Sequence, residues 1–160
     1  MKYCPECASP LAEQLIDDQI RLGCSTLECQ FVHWNNPTPV VAVIVEVADG
    51  VVMAHNVSWP PDFYSIITGF LETGEDPIEC ARRETEEELS LVCDEISLVG
   101  VYPFARQNQV IIAYHARAWG EVRLNHELDD YKIVPVDELQ GWPMATGLAV
   151  TEWLAKRRGA

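Results

Sequence analysis

Apolar, largely β-branched runs separated by turn residues dominate the chain from residue 37 onward. These runs predict strands over 40–47, 51–55, 64–71, 96–104, 109–119 and 131–136. The Asp49-Gly50 pair between the first two strands is typical of a hairpin turn. A helical pattern follows the third strand, and a second helix is predicted over 144–158. This mixture of strands with two helices favours an α/β fold of the α/β/α sandwich type.

The helix after the third predicted strand has a well-marked start. Asp76 is a favourable N-cap, Pro77 suits the first helical position, and Glu79 is placed to complete a capping box. A rotation of about 100° per residue puts four residues on the side that we expect to face the core. They are Ile78, Ala81, Thr85 and Leu89.

Three glutamates, Glu84, Glu87 and Glu88, fall together on an adjacent arc of this helix. Like charges at this spacing cost about 0.2–0.5 kcal/mol per pair, and a Mg²⁺ or Mn²⁺ ion held by the carboxylates would remove that cost. The alternative is a solvated acidic face. We also expect Arg83 to pair with Glu87 on one side and with Glu79 on the other.

Residues 1–36 have a different character from the rest of the chain, because two cysteine-bearing turns are joined there by a polar stretch. The segment NNPTP at 35–39 has the composition of a short linker. We therefore predict two domains, a small module over 1–36 and a larger domain over 37–160. Whether the module shapes a substrate cleft or contributes to a homodimer is left open by the sequence.

Four cysteines of the module are spaced as a C-x2-C pair and a C-x4-C pair. They are Cys4, Cys7, Cys24 and Cys29. Four thiolates can complete a closed, tetrahedral Zn²⁺ site, which would stabilise a segment too short to form its own core. His33 is an alternative to Cys29 as the fourth ligand, and reduced cysteines without metal are the alternative to zinc. In a cytosolic protein, disulfides are not expected.

Composition narrows the class of protein. The chain has 160 residues, 48% of them hydrophobic, which is typical of a globular protein with a real core. Its formal net charge of −14 argues against non-specific binding to nucleic acid or to an anionic membrane. The first residues contain no apolar signal region and no run reaches the length of a membrane span, so we expect a cytoplasmic protein.

The segment from residue 69 to residue 91, GFLETGEDPIECARRETEEELSL, resembles the Nudix box, G-x5-E-x7-R-E-U-x-E-E-x-G-U, in which U is apolar. Two positions depart from it: Thr85 replaces an apolar residue, and Ser90 replaces a glycine. A serine in the left-handed conformation that glycine readily adopts there costs about 1 kcal/mol. The matching residues are Gly69, Glu75, Arg83, Glu84, Glu87, Glu88 and Leu91.

This resemblance, which covers about residues 38–158, implies the Nudix α/β/α sandwich with a mixed sheet. It further implies that the three glutamates hold Mg²⁺ or Mn²⁺ ions, that Arg83 orients them and that Glu75 has a supporting role. The carbonyl of Gly69 is expected to join the metal ligands; the alternative is a glycine needed only for the turn. By the same resemblance, Glu127 is an extra ligand or the general base, unless Glu127, Asp129 and Asp130 form a solvated loop.

Nucleotide recognition requires aromatic surfaces and a cation for phosphate. Trp59, Phe63, Tyr102 and Phe104 are candidates for stacking on a base, although each also suits core or loop packing. Arg106 is a candidate contact for phosphate.

The N-terminal module resembles the zinc ribbon that precedes the Nudix domain in the NADH pyrophosphatase branch. However, VYPFARQNQ at 101–109 does not match the S-Q-P-W-P-F-P motif of that branch. NADH and ADP-ribose both remain candidate substrates.

We therefore predict a Mg²⁺-dependent pyrophosphohydrolase that cleaves a nucleoside diphosphate linked to another group, with no nucleic-acid partner. The alternatives are a nucleotide-sensing regulator without turnover and a zinc-ribbon interaction module with a vestigial box.

Overall fold

The chain divides into two compact units, Met1–Asn36 and the segment that begins at Pro37, in a computed structural model that describes residues 1–159. Within these residues no helix has the length and apolarity needed to cross a membrane.

The first unit is a small antiparallel sheet. Its three strands are β1 (Leu11–Ile16), β2 (Gln19–Cys24) and β3 (Val32–His33), in that order across the sheet. Asp17 and Asp18 both have positive φ angles, 50° and 59°, as a two-residue hairpin turn between β1 and β2 requires. Cys24 is the last residue of β2, and the other three cysteines lie outside the strands.

The second unit is built on a mixed six-stranded sheet. Its strand order is β7-β8-β4-β5-β9, with β6 paired to β4; β4 and β8 are parallel and the other pairs are antiparallel. A 3₁₀ turn over Ala105–Gln107 joins β7 to β8. The strands are β4 (Thr38–Val47), β5 (Gly50–Asn56), β6 (Ile67–Phe70), β7 (Val92–Phe104), β8 (Gln109–Trp119) and β9 (Leu128–Val134).

Two helices cover the two faces of this sheet. Helix α1 (Pro77–Leu89) packs through Cys80, Ala81 and Leu89 on the odd-numbered residues of β4, and helix α2 (Thr146–Arg158) packs through its apolar residues on the even-numbered ones. Because successive side chains of a strand point to opposite faces, the apolar run of β4 supplies both cores. The α/β/α sandwich with a mixed sheet is therefore confirmed.

Several element bounds differ from the sequence-based ones. β6 begins at Ile67 rather than at residue 64, because Ser65 forms an isolated bridge to Ala54 instead. β7 begins at Val92, and two irregularities in its pairing with β8 obscure the period of its apolar residues. β9 covers Leu128–Val134 rather than 131–136, because it is an edge strand whose first residues are polar. Helix α2 starts at Thr146, two residues later than predicted.

Helix α1 starts as predicted, although its first turn differs in detail. Asp76 caps it by accepting a hydrogen bond from the backbone N–H of Ile78 at 2.8 Å. Glu79 approaches Arg82 at 3.7 Å instead of closing a capping box or pairing with Arg83, so both of those expectations are wrong. Ile78 is 40% exposed, because it lies in the first turn, and Cys80 is buried in its place.

The two departures from the Nudix box are accommodated locally. Thr85 is fully buried, and its hydroxyl donates to the carbonyl of Ala81 at 2.8 Å, so that the methyl group faces the core without an unpaired polar atom. Ser90 ends α1 in the left-handed conformation, with φ 58° and ψ 25°, and its hydroxyl donates to the carbonyl of Arg123. The backbone geometry that favours glycine is thus present with serine.

Candidate active site

A cavity of about 660 Å³ opens in the second unit where the box segment meets the loops around the sheet. Five carboxylates and five aromatic rings are among the side chains that line it. This combination suits a ligand that has both charged and planar parts. The carboxylates are Glu72, Glu84, Glu87, Glu88 and Glu127, and the aromatic residues are Trp59, Phe63, Phe70, Phe104 and Trp142.

Arg83 is held among carboxylates on the cavity wall. Its Nε and Nη2 donate to the two oxygens of Glu75 at 2.7 and 3.1 Å, and its Nη1 donates to Glu84 at 2.8 Å and to Glu87 at 3.1 Å. Nη2 also reaches the carbonyl of Phe70 at 3.3 Å. The expected Arg83–Glu87 pair is therefore present, and Arg83 fixes the side chains of two of the three glutamates.

Glu75 acts on the site through Arg83. The Arg83 guanidinium and the backbone N–H of Glu72 hold the pKa of Glu75 at about 2, so its carboxylate is ionised throughout the ordinary pH range. A bidentate pair of this kind is more rigid than a single contact. Glu75 thereby limits the positions that Arg83 can adopt.

A glycine is required at position 69 because the Glu84 side chain lies against its Cα, and not because of a turn. Gly69 lies in β6 opposite Val41, and a Cβ atom there would sit 1.9 Å from Cδ and 2.0 Å from Oε1 of Glu84. Any other residue would push the Glu84 carboxylate out of place. The glycine therefore makes room for the glutamate that lies against it.

Glu88 is the least compensated of the glutamates. It is only 6% exposed, and among residues 1–159 no side chain forms an ion pair or hydrogen bond with its carboxylate. Burial, together with the charges of Glu84, Glu127 and Glu87, raises its pKa to about 8. Burial also raises the pKa of Glu84, although Arg83 opposes this. The site thus concentrates negative charge that the protein itself does not neutralise.

The loop before β9 supplies Glu127 to the cavity wall, and its charge contributes to the raised pKa values of Glu84 and Glu88. Its neighbours lie elsewhere. Asp129 contacts His55 and Asp130 accepts a hydrogen bond from Tyr64, so these two acids do not form a solvated loop with Glu127.

Of the aromatic candidates, Trp59 and Phe63 line the cavity and pack edge to face with ring centroids 5.1 Å apart. Phe104 also lines it. Tyr102 instead belongs to the core, and its hydroxyl donates to Glu152 at 2.7 Å.

The structure does not bring Arg106 to the cavity, whose lining includes Gln107 from the same 3₁₀ turn. The predicted contact between Arg106 and a phosphate in this cavity is therefore not supported.

Four further residues that line the cavity were not predicted from the sequence. Gln107 ends the 3₁₀ turn and Gln109 begins β8, and Trp142 and Met144 lie in the segment before α2. Trp142, between Gly141 and Pro143, is the one sequence signal for this part of the cavity, because a large aromatic residue in a turn does not belong to the apolar period of a core-facing helix or strand. The glutamines carried no signal.

The four cysteines of the first unit meet in space. Their sulfur atoms all lie within 4.8 Å of one another, with Cys4 and Cys29 at 3.6 Å and Cys7 and Cys24 at 3.4 Å. A tetrahedral zinc site with bonds of about 2.3 Å would separate its sulfurs by about 3.8 Å. The quartet therefore fits zinc, and His33, which pairs with Leu22 in the sheet, is not part of it.

The donor set of the cavity fits a different metal. Carboxylates and a backbone carbonyl are the ligands that Mg²⁺ and Mn²⁺ prefer. Within the described part of the chain, the cysteine quartet is the single group of three or more ligand side chains whose donor atoms lie this close together. The glutamates do not form such a group, and in this structure Arg83 Nη1 occupies the position between Glu84 and Glu87.

The chain matches the model of the NUDIX domain family over residues 36–153. It therefore belongs to the Nudix hydrolase family, and the resemblance based on the box is confirmed.

The NAD-capped RNA hydrolase NudC of Vibrio vulnificus is 29% identical over 144 residues, which are 87% of this chain and 52% of that protein. NudC of Chromobacterium violaceum is 28% identical over 150 residues, with 92% and 55% covered. The chain thus spans about half the length of the curated relatives it matches.

The fold recurs in solved structures. A Nudix hydrolase from Nitrosomonas europaea superposes with a TM-score of 0.82 at 22% identity, covering 100% of this chain and 94% of that one. The Nudix domain of NrtR from Shewanella oneidensis, solved with ADP ribose, gives 0.61 at 18% identity, with 78% and 81% covered. At these identities the likeness establishes the fold.

Proposed function

We propose that this chain hydrolyses a phosphoanhydride bond in a substrate that links a nucleoside diphosphate to another group, with Mg²⁺ or Mn²⁺ as cofactor. The observation that carries the proposal is Glu88, a buried carboxylate that has no ion pair within residues 1–159 and lies beside three other carboxylates in a cavity with aromatic walls. A cation and a diphosphate together would satisfy such a site.

Each residue of the box has a role in this proposal. Glu84, Glu87, Glu88 and the carbonyl of Gly69 hold the metal, and Arg83 with Glu75 keeps Glu84 and Glu87 in position. Bound Mg²⁺ would neutralise phosphoryl charge and lower the pKa of a bound water. Glu127, which is exposed at the cavity wall, accepts the proton of the attacking water as general base.

The aromatic residues of the cavity suit the substrate's base. Trp59, Phe63 and Phe104 offer rings for stacking, and the amides of Gln107 and Gln109 offer donors and acceptors for a base edge. ADP-ribose and NADH both fit this description, and NrtR supports the first of them.

The relatives' name, NAD-capped RNA hydrolase, runs against our expectation of no nucleic-acid substrate. We nevertheless favour small substrates. Within residues 1–159, Arg83 is the single cation that lines the cavity, and its N–H groups are bound to carboxylates. The net charge of −14 also gives little electrostatic attraction for the phosphate backbone of an RNA chain.

A substrate panel tests the proposal. ADP-ribose, NADH, NAD⁺, other nucleoside diphosphate sugars and an NAD-capped RNA oligonucleotide are incubated with Mg²⁺ and a phosphatase that releases phosphate from the products. Turnover of a small dinucleotide or ADP-ribose is expected. No turnover of any compound, together with micromolar binding of ADP-ribose, would replace the hydrolase by a nucleotide-sensing regulator. Turnover of the capped RNA alone would overturn the choice of small substrates.

For the first unit we propose a structural Zn²⁺ held by the cysteine quartet, in a domain over 1–36 that is distinct from the Nudix domain over 37–160. The sulfur geometry supports this, because four thiolates leave no position for substrate. Elemental analysis of the untagged protein should find about one equivalent of zinc. A first unit that is folded without metal would contradict the proposal of a structural zinc. A cytoplasmic location stays a prediction.

A further inference from the structure

The loop over 57–64, between β5 and β6, carries two of the aromatic residues of the cavity, Trp59 and Phe63. It has no regular secondary structure. The position of this pair therefore depends on the contacts that attach the loop to the sheet. The N–H of Val57 donates to the carbonyl of Glu127 at 3.0 Å at the start of the loop, and His55 contacts Pro60, which lies between the two aromatic residues.

His55 lies in β5, is 7% exposed, and uses both of its ring nitrogens. Nδ1 is 2.5 Å from Oδ1 of Asp129 in β9, and Nε2 is 3.1 Å from the carbonyl oxygen of Pro60 in the loop. A carbonyl and an ionised carboxylate can only accept hydrogen bonds, whereas a neutral imidazole has a single N–H. Both contacts are satisfied together only when His55 is an imidazolium.

The charges around His55 favour this form. Asp130 accepts a hydrogen bond from Tyr64, whose ring centroid lies 5.5 Å from that of His55, and Lys132 stands 3.6 Å above the Tyr64 ring. One carboxylate thus contacts the imidazole directly, and a second carboxylate and an ammonium group are bound to the neighbouring Tyr64. The hydrogen bond to Asp129 raises the pKa of His55, burial opposes this, and the Pro60 carbonyl supports it.

We propose that His55 is a positioning residue: as an imidazolium it links Asp129 to the Pro60 carbonyl and so fixes Trp59 and Phe63 at the cavity, and substrate affinity falls when it loses its proton. The sign follows from the contacts. The link is complete below about pH 6.5, the ordinary pKa of histidine, and is lost as the pH rises through the higher value of the folded protein. The part that concerns affinity rests on the proposed function; the link itself does not.

Steady-state kinetics with ADP-ribose and Mg²⁺ between pH 6 and 9 test the part that concerns affinity. Losing one charge-assisted hydrogen bond should raise KM about five- to tenfold, along a titration curve that kcat does not share. His55→Gln should hold KM near the high-pH value throughout, and Asp129→Asn should move the midpoint of the KM curve to lower pH. A KM without pH dependence, or one that His55→Gln leaves dependent on pH, would overturn the proposal.

His115→Gln is the matched control. His115 also pairs with a carboxylate, Glu46 at 2.7 Å, but it packs against Trp153 and does not line the cavity. Its removal should leave the KM curve unchanged. Should His55→Gln fail to fold, Asp129→Asn still decides, because the Asp129 side chain is 53% exposed and its substitution removes little packing.

NMR tests the link without any substrate. The His55 ring signal, assigned by its loss in His55→Gln, should titrate above pH 6.5, and the Trp59 indole N–H, assigned from Trp59→Phe, should shift with the same midpoint. A His55 that titrates below 6.5, or a Trp59 signal that does not follow it, would overturn the link. A link seen by NMR in a protein that turns over no substrate would count against the proposed function alone.

Discussion

The cysteine quartet and the glutamate cluster are both proposed metal sites, yet the two units present their ligands differently. The quartet is complete, with four sulfurs within 4.8 Å of one another. The glutamates line an open cavity, where Arg83 compensates Glu84 and Glu87 and nothing among residues 1–159 compensates Glu88. A full set of soft ligands suits a structural ion, and an incomplete set of hard ligands leaves positions for water and substrate.

The difference also shows what each site does to stability. A zinc ion held by the four cysteines would stabilise a unit of 36 residues that is too small to form a sufficient core. In the cavity, by contrast, burial and the repulsion between carboxylates raise the pKa of Glu88 to about 8. Removing a thiolate should therefore destabilise the first unit, whereas removing the Glu88 carboxylate should stabilise the metal-free second unit. Four substitutions test how the two sites differ.

The largest effect is expected for Cys24→Ser. Zinc binding in small metal domains is worth roughly 10 kcal/mol, so losing one thiolate should abolish zinc retention and disorder the β1–β2 hairpin. Elemental analysis and the backbone amide signals of residues 11–24 measure both. Cys93→Ala, which removes a cysteine outside the quartet, should keep the metal. An ordered hairpin in metal-free Cys24→Ser would show that the quartet is not a stabilising site.

Glu87→Gln should lower kcat by on the order of 10³-fold or more, because several kcal/mol of metal-derived stabilisation depend on the carboxylates. Its side chain is 57% exposed, so little loss of folding stability is expected. Single-turnover rates and thermal melts separate the two quantities. Glu86→Gln, one position earlier and exposed, is the control and should remain active. Normal activity of Glu87→Gln would reject the ligand assignment.

Gly69→Ala should lower kcat by about 100-fold while the sheet stays intact, since a misplacement of about 1 Å in a catalytic group costs that much. The new Cβ would lie 2.0 Å from Oε1 of Glu84 and must displace it. Gly74→Ala, in the loop after β6, is the control: its φ of 81° makes alanine cost some stability, but no atom lies within 4 Å of the added Cβ, so no carboxylate is displaced. Equal activity of the two variants would show that Glu84 has room to move.

The smallest of the four effects concerns Glu88 in metal-free protein. Its folded pKa of about 8 exceeds the ordinary 4.5, so the folded state keeps a proton that the unfolded state releases, and stability falls as the pH rises between these values. Glu88→Gln should therefore be more stable than the parent by about 2 kcal/mol at pH 8 and by little at pH 4.5. Denaturant unfolding in buffer without Mg²⁺ or Mn²⁺ measures this.

Added Mg²⁺ should reverse that order at pH 8, because only the parent retains its full set of carboxylates. Glu86→Gln again serves as the control. A difference between Glu88→Gln and the parent that does not change with pH would show that Glu88 is already compensated in the folded protein.

Local patterns predicted α1 well, and contacts between distant residues account for the errors. Asp76, Pro77 and the left-handed Ser90 were readable because caps depend on neighbouring residues. The start of β9 was missed because its polar residues lie on an edge strand. The His55–Asp129 contact joins residues 74 positions apart. Gln107 lines the cavity where Arg106 was predicted, because of the way the turn after β7 is oriented. Neither feature produces a periodic pattern in the sequence.

The guanidinium of Arg83 has five N–H donors, and the carboxylates of Glu75, Glu84 and Glu87 with the Phe70 carbonyl take all of them. It has none left for a phosphate. Among residues 1–159, an anionic ligand therefore finds no free cationic side chain on the wall of this cavity, and it depends on ions from solution. Such a hydrolase would run at a rate set by the free magnesium of its surroundings, and withdrawing magnesium would switch it off while the sheet of the second unit stayed folded.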